Sequence, residues 1–473
     1  MSTLHLMIGI PGSGKSTYVD KLLKTEEGKN LKLVSTDKVR QDNPNLPESE
    51  VFPTVYKTMG EYLNNGVDVI FDATNITPKV RNRLISNLKQ YVLEFDICGY
   101  FFPIYSKICM NRVIERNKLP NELYLPPEVP LSYGESITLP TYDEAFKYLK
   151  VIHMDEELLK DVIIDPYQGY AFYYRKKDQI IEEYSGFESV KTFNPIKDKT
   201  CFRLASVSKQ FIAYAIKTLI DDNKLSMDTS LYSIFENMPE YTKNIKVSNL
   251  IYHTSGIYDY EDMDHTDCQI CDEDVLNYIR TTDKTYFEIG SKYQYSNTAY
   301  VILGLIIEKV SNEKIGDYLG KIFNDLGMTY TKVNYQGTTE FDSRAYGHIK
   351  ENNKFIEKDQ YWCSATIGDG GIYSNVLDLK KWLKYISQDK YLEFKENILK
   401  PHILPNGENI EYGYGIRIKT VNNVEIVYHC GDTIGTNTII GFIKELDIEF
   451  ILLTNINGID TAKLIDNIIK KEM

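Results

Sequence analysis

Two sets of reactive residues stand out in this chain of 473 residues. The first is Gly9-Ile-Pro-Gly12-Ser13-Gly14-Lys15-Ser16, followed by Thr17, with the spacing GxxxxGK[ST]. Glycines at these places let successive backbone N–H groups face phosphate oxygens, and a following helix N-terminus adds partial positive charge. Lys15 then neutralises the β and γ phosphates while Ser16 holds magnesium, so the spacing predicts ATP or GTP with Mg2+. Asp37 and Asp72 each follow a short apolar run (Leu31–Ser35 and Val67–Phe71), the strand end where ligands collect in parallel sheets, which favours phosphoryl transfer. Either carboxylate also suits capping the next helix.

The second set begins with Ser206-Val-Ser-Lys209. Its SxxK spacing alone carries little, since Ser35, Ser86, Ser311 and Ser387 also start one. Apolar Phe211, Ile212, Ala215, Ile216 and Leu219 set it apart by predicting a helix from about Ser206 to Asp221, with the lysine one turn beyond the serine on the same face. An amine so placed approaches the hydroxyl, and the helix dipole favours negative charge on its oxygen. Tyr295-Ser-Asn297 offers a phenol as base and an amide to hold a carbonyl, although Tyr62 and Tyr373 also start a YxN. His429-Cys-Gly431, the only HxG in the sequence, ends an expected strand whose edge can align an acyl substrate and lend an N–H to an oxyanion hole.

To position these residues the chain needs at least two cores, because its length is several times that of a typical domain. Short apolar runs at Leu4–Ile8, Leu31–Ser35, Val67–Phe71, Phe95–Phe102 and Val151–Met154 alternate with helical patterns, predicting an α/β domain with a parallel sheet over residues 1–155. After the acidic stretch Asp155–Asp165, strands at Tyr170–Arg175 and Ile180–Tyr184 precede a long helical region. Further strands at Val424–His429 and Thr438–Thr454 precede a terminal helix, predicting an α+β domain over residues 165–473.

Hydrophobic residues make up 42% and charged residues 26%, which excludes a disordered or collagen-like chain. No membrane span is expected, since the apolar stretch Phe442–Ile456 is interrupted by Lys444, Glu445, Asp447 and Glu449. Residues 1–150 balance 18 Lys and Arg against 18 Asp and Glu, so the net charge of −13 falls on the remainder and argues against nucleic-acid binding there. Seven cysteines fit reduced thiols. Cys268 and Cys271, in the acidic segment Asp264–Asp274, form a CxxC without the second pair that a closed zinc site needs. The start of the sequence lacks the features of a signal peptide, which predicts a cytoplasmic location.

Residues 3 to 152 resemble the polynucleotide-kinase-like branch of P-loop kinases, through the P-loop, Ser35-Thr-Asp37-Lys-Val-Arg40, Asp72-Ala-Thr-Asn75, Arg112 with Arg116, and Pro140-Thr-Tyr-Asp-Glu-Ala-Phe146. The resemblance implies Asp37 as general base, Arg40 holding the acceptor, Asp72 assisting around magnesium, and Arg112 and Arg116 clamping the transferred phosphate. The acceptor stays open between a nucleic-acid 5′ end and a small-molecule hydroxyl.

Residues 165 to 460 resemble the class C beta-lactamase-like serine hydrolases, through Phe202–Phe211, Leu250–Gly256, Tyr295–Asn297, Gly368–Ser374, Tyr412–Gly415 and His429–Gly431. That resemblance implies Ser206 as nucleophile, Lys209 and Tyr295 sharing proton transfer, Asn297 orienting substrate, and His429 in place of the lysine of a KTG motif. The N–H groups of Ser206 and Asp432 would form the oxyanion hole, with Asp432 an unusual acid beside it. An ester, amide or D-amino-acid peptide is expected as substrate rather than a beta-lactam. Three readings remain: a bifunctional kinase and hydrolase, a hydrolase regulated by a nucleotide-binding module, and a hydrolase fold that binds without turnover.

Overall fold

The computed structural model describes all residues except 121, 123, 264–267, 353 and 388–399. The described chain divides into two compact units: Met1–Gln168 with Glu182–Phe187, and Gly169–Ile181 with Glu188–Met473.

The first unit is built on a five-stranded sheet of β1 (Thr3–Ile8), β2 (Lys32–Ser35), β3 (Val69–Asp72), β4 (Asp96–Phe101) and β5 (Tyr148–Val151), in the order β2-β3-β1-β4-β5. Every pairing in it is parallel. Leu4, Leu6, Met7 and Ile8 of the central strand are fully buried, as expected where helices cover both faces. The last strand departs from the expected Val151–Met154. It begins at Tyr148, and its alternation of exposed Tyr148 with buried Leu149 and Val151 is the pattern of an edge strand. Leu149 and Phe146 pack where Gly99 of β4 leaves room, which fixes the earlier register.

An antiparallel sheet is ordered β13-β14-β15-β16-β6-β7, from Arg417–Val421, Val424–Thr433, Thr436–Ile443, Ile448–Thr454, Tyr170–Lys176 and Gln179–Ser185; all but the end of β7 from Glu182 onward belongs to the second unit. Three short strands, β8 (Phe202–Arg203), β9 (Lys332–Val333) and β12 (Ile372–Ser374), form a second sheet, and β10 (His348–Glu351) pairs with β11 (Lys354–Glu357). The single strand expected over Thr438–Thr454 is instead the hairpin of β15 and β16. Its reversal is the 3-10 turn Lys444–Leu446 and Asp447 at φ 51°, so Lys444, Glu445 and Asp447 are the turn itself, while Glu449 lies within β16. Helices Lys209–Asp221, Asn297–Ser311 and Val376–Ser387 supply the apolar faces beside these sheets.

Candidate active sites

The P-loop leaves β1 and enters the helix Lys15–Leu22, whose N-cap Gly14 is left-handed at φ 92°. Gly12 stands at φ 82°, and a Cβ there would lie 2.5 Å from the Cys109 carbonyl oxygen, so only glycine fits this turn. The Lys15 ammonium is buried and donates to the Ile10 carbonyl at 3.0 Å. Burial pushes its pKa down, against the pull of Asp72 and Asp37. Ser16 and Thr17 are exposed on the first helical turn, and the Ser16 hydroxyl donates to Asp72 at 2.7 Å. Ser13 Oγ is buried with no hydrogen-bond partner.

Asp37 and Arg40 lie on the helix Thr36–Asp42, capped by Ser35 Oγ accepting from the Lys38 N–H. Arg40 bonds Asp37 at 3.0 Å and Glu48 at 2.5 Å, so the DxxR pair is joined and partly open to solvent. Arg112 and Arg116 share the helix Ser106–Arg116. Arg112 donates to the Gly12 carbonyl at 3.2 Å, and Arg116 acts electrostatically on Lys15 while its buried Nε lacks a hydrogen-bond partner. Sequence reasoning missed Arg81, which is fully buried, bonds both oxygens of Glu144 at 2.7 Å, and donates to the carbonyls of Asn75 and Thr138. The fit to a triphosphate is seen in this donor excess, an orphan hydroxyl and a buried ammonium around a left-handed glycine turn. Ser16 and Asp72 are hard oxygen donors of the kind magnesium takes alongside phosphates.

In the second unit Ser206 lies on the 3-10 turn Ala205–Ser208, and the α-helix starts only at Lys209. The helix expected from Ser206 therefore begins as a tighter turn, led by Ala205 in the left-handed region at φ 48°. Position on this turn leaves the Ser206 N–H without an internal carbonyl partner. The fully buried Lys209 amine reaches Ser206 Oγ at 3.0 Å, Asn297 Oδ1 at 2.8 Å and the Asp369 carbonyl at 2.9 Å. Three oxygens thus fix the position of this nitrogen beside the hydroxyl.

Tyr295 sets its ring 5.0 Å from that nitrogen, and its hydroxyl makes no hydrogen bond to any described residue, Ser206 included. Asn297 opens the helix Asn297–Ser311 behind its N-cap Ser296, whose hydroxyl accepts from the Ala299 N–H at 3.1 Å. His253 holds the same turn by accepting the Ser296 N–H on Nδ1 at 3.0 Å, with its ring 4.5 Å from that of Tyr295.

Gly431 of β14 meets the nucleophile turn so closely that a Cβ would stand 2.2 Å from the Leu204 carbonyl. Thr438 of β15 donates to that same carbonyl at 2.9 Å. The pairing of β14 with β13 stops at Tyr428 opposite Arg417, so His429 to Thr433 run on past the neighbouring strand as an edge. His429 is buried. Its Nδ1 donates to the Cys430 carbonyl at 2.6 Å, which leaves Nε2 to accept from Tyr412 at 3.2 Å. Burial, with Arg417 and Lys209 nearby, pushes its pKa well down, so the ring is neutral near pH 7. Asp432 is exposed, opposite Asn437 in register, and burial of part of its carboxyl raises its pKa. Tyr412, His253 and Asp369 sit within stretches that carried the resemblance, although their own contacts were not readable there. Arg417, with its guanidinium 5.5 Å from the Tyr295 ring, belongs to no spacing pattern.

Cys268 and Cys271 form no disulfide with each other, and no group of three metal-ligating side chains occurs among the described residues. Asp264–Asp267 of that acidic segment lie outside the described residues. No helix among the described residues is long and apolar enough to cross a membrane.

Residues 164–471 match the beta-lactamase family model, and residues 4–126 match the AAA domain model. The chain belongs to the beta-lactamase family. Penicillin-binding protein 4* of Bacillus subtilis (strain 168) is 29% identical over 274 residues, 54% of this chain and 60% of that protein. Protein flp of Staphylococcus aureus (strain COL) is 23% identical over 301 residues, 60% of this chain and 58% of that protein. The chain thus spans about 60% of the length of the curated relatives it matches. Among solved structures, the octameric penicillin-binding protein homologue from Pyrococcus abyssi is similar with 26% identity and a TM-score of 0.54, over 63% of this chain and 71% of that one. The D-amino acid amidase from Ochrobactrum anthropi SV3 shares the fold at 21% identity and a TM-score of 0.56, over 67% of this chain and 96% of that one.

Proposed function

We propose that the chain is a bifunctional enzyme, in which one unit hydrolyses an acyl substrate through a serine ester and the other transfers phosphate from ATP to a hydroxyl. The hydrolase reading is carried by one observation, the Lys209 amine bonded at once to Ser206 Oγ and Asn297 Oδ1. Ser206 Oγ attacks the substrate carbonyl carbon as its proton passes to the Lys209 and Tyr295 pair. The carbonyl oxygen gathers negative charge facing the N–H groups of Ser206 and Asp432, and the same pair returns the proton to the departing amine or alcohol. Water then attacks the acyl-serine and frees Ser206. His429, being neutral, shapes the strand edge through Tyr412, and Arg417 supplies a fixed positive charge that the ring does not. Esters, amides and D-amino-acid peptides suit this site better than beta-lactams.

For the phosphoryl site, Lys15 and the loop N–H groups hold the β and γ phosphates, with Gly9, Gly12, Ser13 and Gly14 shaping the cradle. Ser16 and Asp72 would hold Mg2+, which neutralises charge on the phosphates when bound. Asp37 takes the proton of the acceptor hydroxyl as its oxygen bonds phosphorus and the bond to the bridging oxygen breaks. Arg40 steadies the acceptor, and Arg112 and Arg116 steady the moving phosphoryl group. The test is direct. Fluorophosphonate should label Ser206 and a short ester should be turned over, while labelled γ-phosphate should reach an acceptor within a panel of oligonucleotides, nucleosides and small alcohols. Absence of the label on Ser206 overturns the first half; ATP binding without transfer to any acceptor overturns the second.

A further inference from the structure

We infer that Glu48 withdraws Arg40 from anionic acceptors, so that the phosphoryl site takes a hydroxyl on an uncharged body, such as a nucleoside or a small polyol. A hydroxyl flanked by a phosphate, as at a nucleic-acid 5′ end, is disfavoured. The inference rests on the phosphoryl-transfer reading of the P-loop unit. Arg40 donates from Nε and Nη2 to the two carboxylate oxygens of Glu48, at 3.1 and 2.5 Å, and from Nη1 to Asp37 at 3.0 Å. Two parallel bonds to one carboxylate are the fork with which an arginine would otherwise grip a phosphate. Three of its five N–H bonds are thus given to the chain's own carboxylates.

The loop between the two helices builds this fork. Helix Thr36–Asp42 ends at Asn43, whose backbone N–H and Nδ2 both donate to the Val39 carbonyl, while the Leu46 N–H donates back to the Asn43 carbonyl. Pro44 and Pro47 stiffen the same loop by fixing their own backbone angles. Pro47, at φ −58°, leads into the helix Glu48–Asn64, of which Glu48 is the first residue. The carboxylate is therefore presented to Arg40 by a held backbone.

Asp37 is close enough to act electrostatically on Lys15, so the cluster stands toward the P-loop. Its bond to Arg40 holds the Glu48 carboxyl below the ordinary range, and the group is ionised at pH 7. Among the described residues no lysine pairs with Asp37 or Glu48, which leaves two carboxylates around one guanidinium. An acceptor phosphate would bring about two more negative charges to this cluster and find the fork taken. An uncharged alcohol meets no such repulsion, and the remaining N–H bonds of Arg40 suit a neutral oxygen. In the step itself the acceptor oxygen bonds the γ-phosphorus, its proton passes to Asp37, and the bond from phosphorus to the β–γ bridging oxygen breaks to release ADP. Because the Arg40–Glu48 pair is open to solvent, it adds little to stability, and its effect is read in substrate choice.

The test gives the full chain γ-labelled ATP and Mg2+ with matched alcohols: adenosine against adenosine 3′-monophosphate and a 5′-hydroxyl oligonucleotide, and glycerol against glycerol 3-phosphate. We expect the wild type to transfer to the uncharged member of each set with a kcat/KM about tenfold or more above its phosphorylated counterpart. Glu48→Gln should shift that ratio by about tenfold toward the phosphorylated member, with a thermal melt matching the wild type to show that the fold is kept. A wild type that prefers the phosphorylated member overturns the inference. So does a Glu48→Gln variant with an unchanged ratio, which marks the fork as a surface pair without bearing on the acceptor. If no alcohol or oligonucleotide takes the label while ATP still binds, the phosphoryl-transfer reading itself has failed, and the inference with it.

Discussion

Lys15 and Lys209 are both buried, both open an α-helix, and both stand within one turn of a serine hydroxyl. Their bonding differs. Lys209 has three acceptors, all from the protein, and one of them is the hydroxyl it serves. Lys15 has one among the described residues, the Ile10 carbonyl, and around it Ser13 Oγ lacks a hydrogen-bond partner while Arg116 Nε has only Glu122, at 4.0 Å. A lysine that works on the protein's own oxygen is best preorganised by the protein, whereas a lysine that works on a ligand's phosphate is left short of acceptors that the ligand brings. On the proposed reading, the serine site is preorganised by the protein, whereas the P-loop site awaits the anions of its ligand.

The largest effect that tests this contrast is loss of the nucleophile. Ser206→Ala should lower ester hydrolysis by roughly ten-thousandfold or more, with nucleotide binding unchanged in a calorimetric titration. Lys15→Met should weaken ATP binding on the order of a hundredfold, while fluorophosphonate labelling of Ser206 proceeds at the wild-type rate. A shared loss in either variant breaks the contrast.

Much of this was legible in the sequence, for reasons of spacing. A P-loop and an SxxK each place their residues within a few positions of one another, so a single turn of backbone decides the geometry, and Gly12, Lys15, Ser206 and Lys209 lie where local pattern puts them. Contacts made across the fold left no such trace. Arg81 finds Glu144 63 residues away, and Glu261 reaches Asn297 over 36. The strand at Tyr148 was misplaced because edge alternation reads weakly beside the fully buried runs. The hairpin hidden in Thr438–Thr454 needed Lys444–Asp447 to be recognised as a turn rather than as flaws in a strand.

Gly431 offers a sharper test of how the serine site is assembled. Since a Cβ there would meet the Leu204 backbone, Gly431→Ala should cost about 1–3 kcal/mol of stability and lower hydrolysis, both followed by thermal melts and ester kinetics. The corresponding change at exposed Gly407, where a Cβ would meet nothing within 4 Å, is expected to cost less, although its φ of 85° adds strain.

The smallest expected effect concerns Asp272, buried and accepting the Ile367 N–H at 2.8 Å. Burial raises its carboxyl well above the ordinary value of 3.8, with Asp369 and Glu308 adding to the rise. Between that value and the raised one the folded state holds a proton that the unfolded chain releases, so this group's contribution to stability falls as pH rises through that window. Asp272→Asn should flatten that slope in denaturant titrations at several pH values; an unchanged slope would place the proton elsewhere.

The central claim, two separately assembled sites in one chain, is tested most directly by labelling and titrating a single sample. After fluorophosphonate treatment, peptide mapping should find the adduct on Ser206, and the labelled protein should bind ATP with Mg2+ as tightly as before. An adduct that avoids Ser206, or ATP binding that disappears on labelling or persists undiminished in Lys15→Met, would contradict it.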